Sequence, residues 1–72
     1  MFAIYARRAP DEFALRLGRI YATIEVARKV VQRSSSRLYE AEIRARLPSG
    51  GETLQEIYCR KDANTPLERL AP

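Results

Sequence analysis

The sequence predicts a small α+β domain in which four antiparallel strands form a sheet and one helix packs on one face of it. Two patterns carry this prediction: strict alternation of apolar and charged residues over positions 38–47, and apolar residues at helical spacing over positions 24–31. The 72 residues provide for one domain, and a domain of this size buries only about 60% of its unfolded surface. We therefore expect a thin core, β-β-α-β-β order within residues 1–60, and a C-terminal tail at 61–72.

The first two strands are predicted near the N-terminus. Phe2–Arg8 alternates apolar and polar side chains, and Pro10 ends this strand because proline has no amide hydrogen to donate to a neighbour. Phe13–Tyr21 alternates as well, although residues 13–20 also fit a helical period. We predict a second strand over Phe13–Tyr21 with a bend or bulge at Gly18.

The helix is the clearest element. Thr23 is its predicted N-cap, and Glu25 lies in the first turn, where a carboxylate stabilises exposed amide groups. Three serines at 34–36 end the helix, because their hydroxyls compete for backbone hydrogen bonds.

The third and fourth strands form a predicted hairpin. Leu38–Leu47 places apolar side chains on one face and charged ones on the other, and Pro48–Glu52 supplies a loop with two glycines. The partner strand, Thr53–Arg60, has apolar residues of both parities, so its facing is ambiguous. We expect Ile57 and Cys59 to point inward, with the intervening tyrosine partly exposed.

The tail has a pattern of its own. Residues 65–68, T-P-L-E, match a capping box with proline at the first helical position and predict one helical turn. A frayed end is the alternative. The core predicted for the whole domain comprises Phe2, Ile4, Leu15, Ile20, Ile24, Ala27, Val30, Val31, Ala41, Ile43, Ala45 and Ile57.

The residue inventory argues against catalysis and metal binding. The chain has no histidine and Cys59 is its one cysteine, so the usual general base and the cysteine metal clusters are missing. We therefore predict a non-enzymatic protein with no catalytic residues, no metal and no cofactor. No apolar stretch approaches the roughly 20 residues of a membrane span, and a lone thiol suits a reducing compartment. These features predict a cytoplasmic protein without membrane contact.

The charge balance favours a macromolecular partner. Thirteen basic against nine acidic residues give a net charge of +4, and two of the basic residues are lysines while the others are arginines. Arginine binds carboxylates and phosphates through a planar set of donors. Both an acidic or mixed protein surface and a nucleic acid are therefore candidate partners.

The predicted binding surface is the charged face of the sheet. Arginines and exposed tyrosines are enriched at protein interfaces, which favours a protein partner. Nucleic-acid binding is the alternative, although Glu40 and Glu42 on the same face would repel phosphates. The predicted protein-binding residues are Tyr5, Arg7, Arg16, Glu40, Glu42, Arg44, Arg46 and Tyr58.

The element order, the helix T-I-E-V-A-R-K-V-V at Thr23–Val31 and the loop R-L-P-S-G-G-E at Arg46–Glu52 resemble small phage-encoded proteins that take over host machinery. The resemblance covers Phe2–Arg60 and transfers no binding residues. It implies a regulator acting in the host cytoplasm on a host protein complex, with bacterial RNA polymerase favoured, by inhibiting initiation or promoting antitermination. An anti-CRISPR inhibitor is the third function that it implies.

Overall fold

The computed structural model describes residues 1–70 and confirms the α+β class, with one helix packed on an antiparallel sheet. The described sheet has five strands instead of the predicted four, in the order β2-β1-β3-β4-β5. Ala71 and Pro72, the end of the predicted tail, lie outside the described residues. The elements are β1 Phe2–Arg7, β2 Leu15–Arg16, α1 Ile24–Ser34, a 3-10 turn Ser35–Arg37, β3 Glu40–Arg46, β4 Glu52–Cys59 and β5 Glu68–Leu70.

The centre of the sheet is the antiparallel pair β1 and β3. Ile4 lies opposite Ile43 and Ala6 lies opposite Ala41, and all four side chains are buried. Because side chains alternate across a strand, these residues form one apolar face that α1 covers. The small alanines leave room for the helix to lie close to the sheet.

The helix begins and faces as predicted. The Thr23 hydroxyl accepts a hydrogen bond from the backbone N–H of Val26 at 3.3 Å, and Glu25 lies in the first turn. Ala27 and Val31 are buried against the sheet, one turn apart. The helix ends at the first of the three serines, and the other two begin the 3-10 turn.

The second strand is much shorter than predicted. Only Leu15–Arg16 pairs with β1 as a strand, and Tyr21 forms an isolated bridge with Phe2. Gly18 lies between them with a φ of +71°, a left-handed conformation that interrupts the strand and produces the predicted bend. Leu15, predicted in the core, is 73% exposed, because it lies on an edge strand that the helix does not cover.

The facing predicted for the fourth strand is wrong. Tyr58 packs against the core opposite Ala41, whereas Ile57 and Cys59 lie on the other face of the sheet. Ile57 therefore does not belong to the core in which it was predicted. The register of β3 and β4 shifts between Ile43 and Arg44, a β-bulge that alternation in the sequence does not reveal.

The tail adds a strand instead of the predicted helical turn. Glu68–Leu70 pairs antiparallel with β4. The Thr65 hydroxyl accepts from the backbone N–H groups of Lys61 and Asp62, at 3.2 and 3.1 Å, and so closes a turn before the strand. The Arg60 guanidinium donates to three backbone carbonyls, those of Leu38, Thr65 and Ser35, which ties the tail to the end of the helix.

The core is smaller than predicted and partly different. Five of the predicted residues are buried, and the completely or nearly buried residues that the prediction missed are Ala3, Ala6 and Leu38. Several others, including Phe2, Ile24 and Val30, are partly buried and pack against this core. Within residues 1–70, no helix has the length and apolar character that crossing a membrane requires.

A matched pair of valines on α1 tests this packing. Val31→Asp should abolish the cooperative thermal transition, because a buried unpaired carboxylate costs several kcal/mol in a domain with roughly 5 kcal/mol of stability. Val26→Asp is the control, since Val26 is exposed and lies in the first turn of the helix. The free energy of unfolding of the control, measured by circular dichroism, should lie within about 0.5 kcal/mol of the wild-type value. A cooperative Val31→Asp protein would contradict the packing described here.

Candidate functional site

The predicted binding residues lie mainly on the face of the sheet opposite α1, called the open face below. Tyr58 is the exception, because it lies on the covered face and donates to Glu56. Cross-strand pairing brings the others together, since Tyr5 lies between Arg16 and Glu42. The residues of the prediction that share the open face are Tyr5, Arg7, Arg16, Glu40, Glu42, Arg44 and Arg46.

The middle of the open face is a network centred on Arg44. Its guanidinium lies 2.8 Å from Glu42 and 3.8 Å from Glu52, and 4.8 Å from the ring centroid of Tyr5. The Tyr5 hydroxyl donates to Glu52 at 3.0 Å, and this bond, together with burial, raises the pKa of Tyr5. Arg46 adds a longer contact of 3.9 Å to Glu52.

A second group of contacts holds Arg7 at one end of the open face. Arg7 forms an ion pair with Glu40 at 3.2 Å and donates to the backbone carbonyl of Pro10 at 3.1 Å. Its guanidinium also lies 5.5 Å from the ring centroid of Tyr39. Together the two groups match three arginines with three glutamates. Arg16 and Glu68, which form no ion pair within residues 1–70, add one charge of each sign, so the open face is close to electrically neutral.

Beside these charges the open face carries an apolar group that the sequence analysis missed. Leu54 and Leu70 are 48% and 50% exposed, and with Ile57 they line one side of a concavity of about 400 Å³. Arg28, Glu56 and Arg69 of the covered face also line it. Leu54 and Ile57 have opposite parity in the sequence, and only the β-bulge brings them to one face. We call Leu54, Ile57 and Leu70 the apolar patch.

A separate exposed apolar group lies at the β2 edge. Phe13 is 92% exposed and, with Leu15, Leu17 and Leu38, lines a groove of about 620 Å³. Leu15 pairs with Ala6 of the covered face, so this group is not continuous with the open face.

The covered face contains a buried carboxylate that joins three elements. The Glu56 side chain is 8% exposed and accepts hydrogen bonds from Arg28 of α1 at 2.9 and 3.1 Å, Tyr58 of β4 at 2.6 Å and Arg69 of β5 at 3.2 Å. The hydrogen bonds from Arg28 are the largest cause of the lowered pKa of Glu56, whereas burial acts to raise this pKa. Burial and the same carboxylate raise the pKa of Tyr58 to about 12.

A metal cluster is not evident among the described residues. Within residues 1–70, no three histidine, cysteine, aspartate or glutamate side chains form a group that could hold a metal ion. Cys59 is half-buried on the open face, and its thiol lies 3.6 Å from the backbone carbonyl of Arg60. The open face brings together ion pairs, aromatic rings and exposed leucines.

Comparison with known proteins found no matching family model, no significantly similar curated protein and no solved structure with significant similarity.

The buried carboxylate predicts a specific pH dependence. Glu56→Gln should lower stability at pH 7 by about 1–2 kcal/mol, because hydrogen bonds to a charged group are replaced by neutral ones. Since the pKa of Glu56 is lowered in the folded protein, its ionised form stabilises the fold above the unfolded pKa of about 4.3 and this contribution is lost as pH falls through the folded value.

Urea unfolding from pH 7 to pH 3 measures this difference. The gap in unfolding free energy between wild type and Glu56→Gln should narrow as the pH falls. A gap that stays constant over this range would show that the ionised carboxylate does not stabilise the fold. Glu68→Gln is the control, since Glu68 is exposed on β5 and its substitution should leave the wild-type pH profile in place.

Proposed function

We propose that this protein is a non-enzymatic regulator that binds a host protein complex through the open face, with bacterial RNA polymerase as the partner. In this proposal, occupation of the polymerase inhibits transcription initiation or promotes antitermination. The observation that supports a protein partner is the exposed apolar patch, which lies beside arginine and glutamate side chains that form ion pairs with one another.

The chemistry of the open face supports a protein partner over a nucleic acid. Protein interfaces combine a desolvated apolar centre with a polar rim, and the apolar patch beside the Arg44 network has this arrangement. A nucleic acid gains affinity chiefly from cations that replace its counterions. On the open face Arg7, Arg44 and Arg46 each contact a carboxylate instead, so that the face offers a phosphate little net attraction.

Fixed ion pairs also suit a specific interface. Arg44 is held by Glu42, Glu52 and the Tyr5 ring, so its guanidinium is ordered before a partner arrives. Less conformational entropy is then lost on binding, and charges of both signs define one orientation of the partner.

Loss of the apolar patch should abolish partner binding without unfolding the protein. Leu54→Ser with Leu70→Ser removes two side chains that are about half exposed, so the fold should be retained. The matched control is Val26→Ser with Leu47→Ser, each 45% exposed and outside the patch. Binding to purified bacterial RNA polymerase, measured by biolayer interferometry, should fall at least about tenfold for the first pair only.

If the polymerase binds neither the wild-type protein nor the control variant, RNA polymerase is not the partner. If it binds the patch variant and the control variant equally well, the apolar patch is not the binding surface. A pull-down from bacterial lysate with and without nuclease adds a separate outcome. Polymerase subunits retained after nuclease treatment support the proposal, whereas loss of all captured material favours the nucleic-acid alternative. Initiation and terminator read-through in vitro then measure the regulatory effect.

The two open-face glutamates distinguish a protein from a nucleic acid by the sign of the effect. Glu40→Gln with Glu42→Gln leaves Arg7 and Arg44 without their closest carboxylates and makes the face more positive. Binding to a protein surface that contacts both the arginines and the glutamates should weaken by a few-fold or more. Binding of nucleic acid to the same face should instead tighten and become more salt-dependent. Tighter binding of duplex DNA with unchanged polymerase binding would contradict the proposal.

A further inference from the structure

The arginines and lysines fall into two populations, those that contact carboxylates and those that do not. Those that contact carboxylates are on the sheet or reach it from α1, as Arg28 does. In residues 1–70, a second set forms no ion pair within 4 Å and is exposed. Five members of this set lie beside α1 or beyond its C-terminal end and are called the basic band below: Arg19, Lys29, Arg33, Arg37 and Lys61.

One half of the basic band surrounds a concavity of about 580 Å³. Arg19, Lys29 and Arg33 line it, and none of the other lining residues is acidic. Tyr21 forms part of its wall and is held against the core, with its hydroxyl lying over Gly18. Gly18 adopts a left-handed conformation directly before Arg19, which lines the concavity beside the helix.

The other half of the basic band borders a second concavity, of about 430 Å³. Arg37 and Lys61 line it, together with Asp62 and the Arg60 side chain that already donates to backbone carbonyls. The Asp62 carboxylate accepts from the backbone N–H of Asn64 at 2.8 Å, so it serves the local turn.

The C-terminal part of the helix leads from the first half to the second. Lys29 and Arg33 lie four residues apart on α1, which places their side chains on one side of the helix and about 6 Å apart along its axis. Arg37 follows at the end of the 3-10 turn that continues from α1. Glu25 lies one turn before Lys29, at the helix start, where no cation lies within 4 Å of it in the described residues.

We propose that the basic band binds the phosphodiester backbone of a nucleic acid, at a site separate from the open face and independent of the protein partner proposed above. A line of like charges without partners fits an extended polyanion whose charges also recur along a line. Binding is electrostatic and independent of base sequence, because the arginines and lysines reach phosphates and no element is shaped to enter a groove.

An acidic protein fits this surface less well. Of the exposed large apolar side chains in residues 1–70, only Val26, which is 45% exposed, lines a concavity of the basic band; the others are Met1, Phe13, Leu15, Leu47, Leu54 and Leu70. The valines that line the first concavity, Val26 and Val30, are the small apolar part of a surface otherwise dominated by cations. The band therefore has the charge for a polyanion without the apolar centre that protein interfaces bury.

Two triple variants with the same net charge test the proposal. Lys29→Gln, Arg33→Gln and Arg37→Gln together remove the line of cations, whereas Arg16→Gln, Arg44→Gln and Arg46→Gln remove three from the open face. Both change the net charge from +4 to +1. The probes are a fluorescently labelled short duplex DNA, the same strand as single-stranded DNA, and single-stranded RNA of that sequence. Anisotropy is measured over a range of salt concentrations, and circular dichroism checks that each variant is folded.

The band variant should bind every probe that the wild-type protein binds, but at least about tenfold more weakly. For duplex DNA, the slope of log affinity against log salt concentration should be smaller in magnitude by about 0.9 per lost phosphate contact. The open-face variant should keep both affinity and salt slope near wild type. The relative affinities of the three probes then identify whether DNA or RNA supplies the backbone.

Two results would overturn the proposal. The first is wild-type protein that binds none of the three probes at low salt; if it then binds vesicles containing phosphatidylserine, the band is assigned to a membrane surface. The second is equal loss in both variants, which would mean that net charge alone governs binding.

Discussion

The Glu56 carboxylate is the polar contact on which three elements of the fold converge. The helix, the fourth strand and β5 meet there through Arg28, Tyr58 and Arg69. Apolar contacts of Ala27 and Val31 hold α1 on the sheet. The Glu56 cluster adds hydrogen bonds to an ionised group, which are stronger than those between neutral groups and set the orientation of α1 relative to β4 and β5.

This placement of carboxylates also explains the charge distribution of the surface. Glu40, Glu42, Glu52 and Glu56 all lie on β3 and β4, and each contacts arginine. Most arginines and lysines without ion pairs in residues 1–70 consequently lie beside α1 or beyond its C-terminal end, although Arg16 lies on the open face. A protein with a modest net charge of +4 thus has one nearly neutral face and one basic surface.

Local patterns in the sequence predicted the parts of this fold that local physics determines. The Thr23 cap, the helix stripe and the alternation around Ile43 required no knowledge of distant residues. The β-bulge before Arg44 and the docking of the tail depend on long-range pairing, so parity assigned the wrong faces to Tyr58 and its neighbours. Alternation placed the charges of β3 on one face, as observed, but it did not show which carboxylate each arginine contacts. The apolar patch follows from the bulge and could not be predicted from periodicity.

The link from Arg60 to the end of the helix has a consequence for synthesis on the ribosome. Its guanidinium supplies donors to the carbonyls of Ser35 and Leu38, which are translated more than 20 residues earlier. During vectorial synthesis those carbonyls stay solvated, and this link between the helix and the tail is missing, until Arg60 has left the exit tunnel. The end of the helix therefore gains these hydrogen bonds only after β4 has been synthesised, because the contact is non-local.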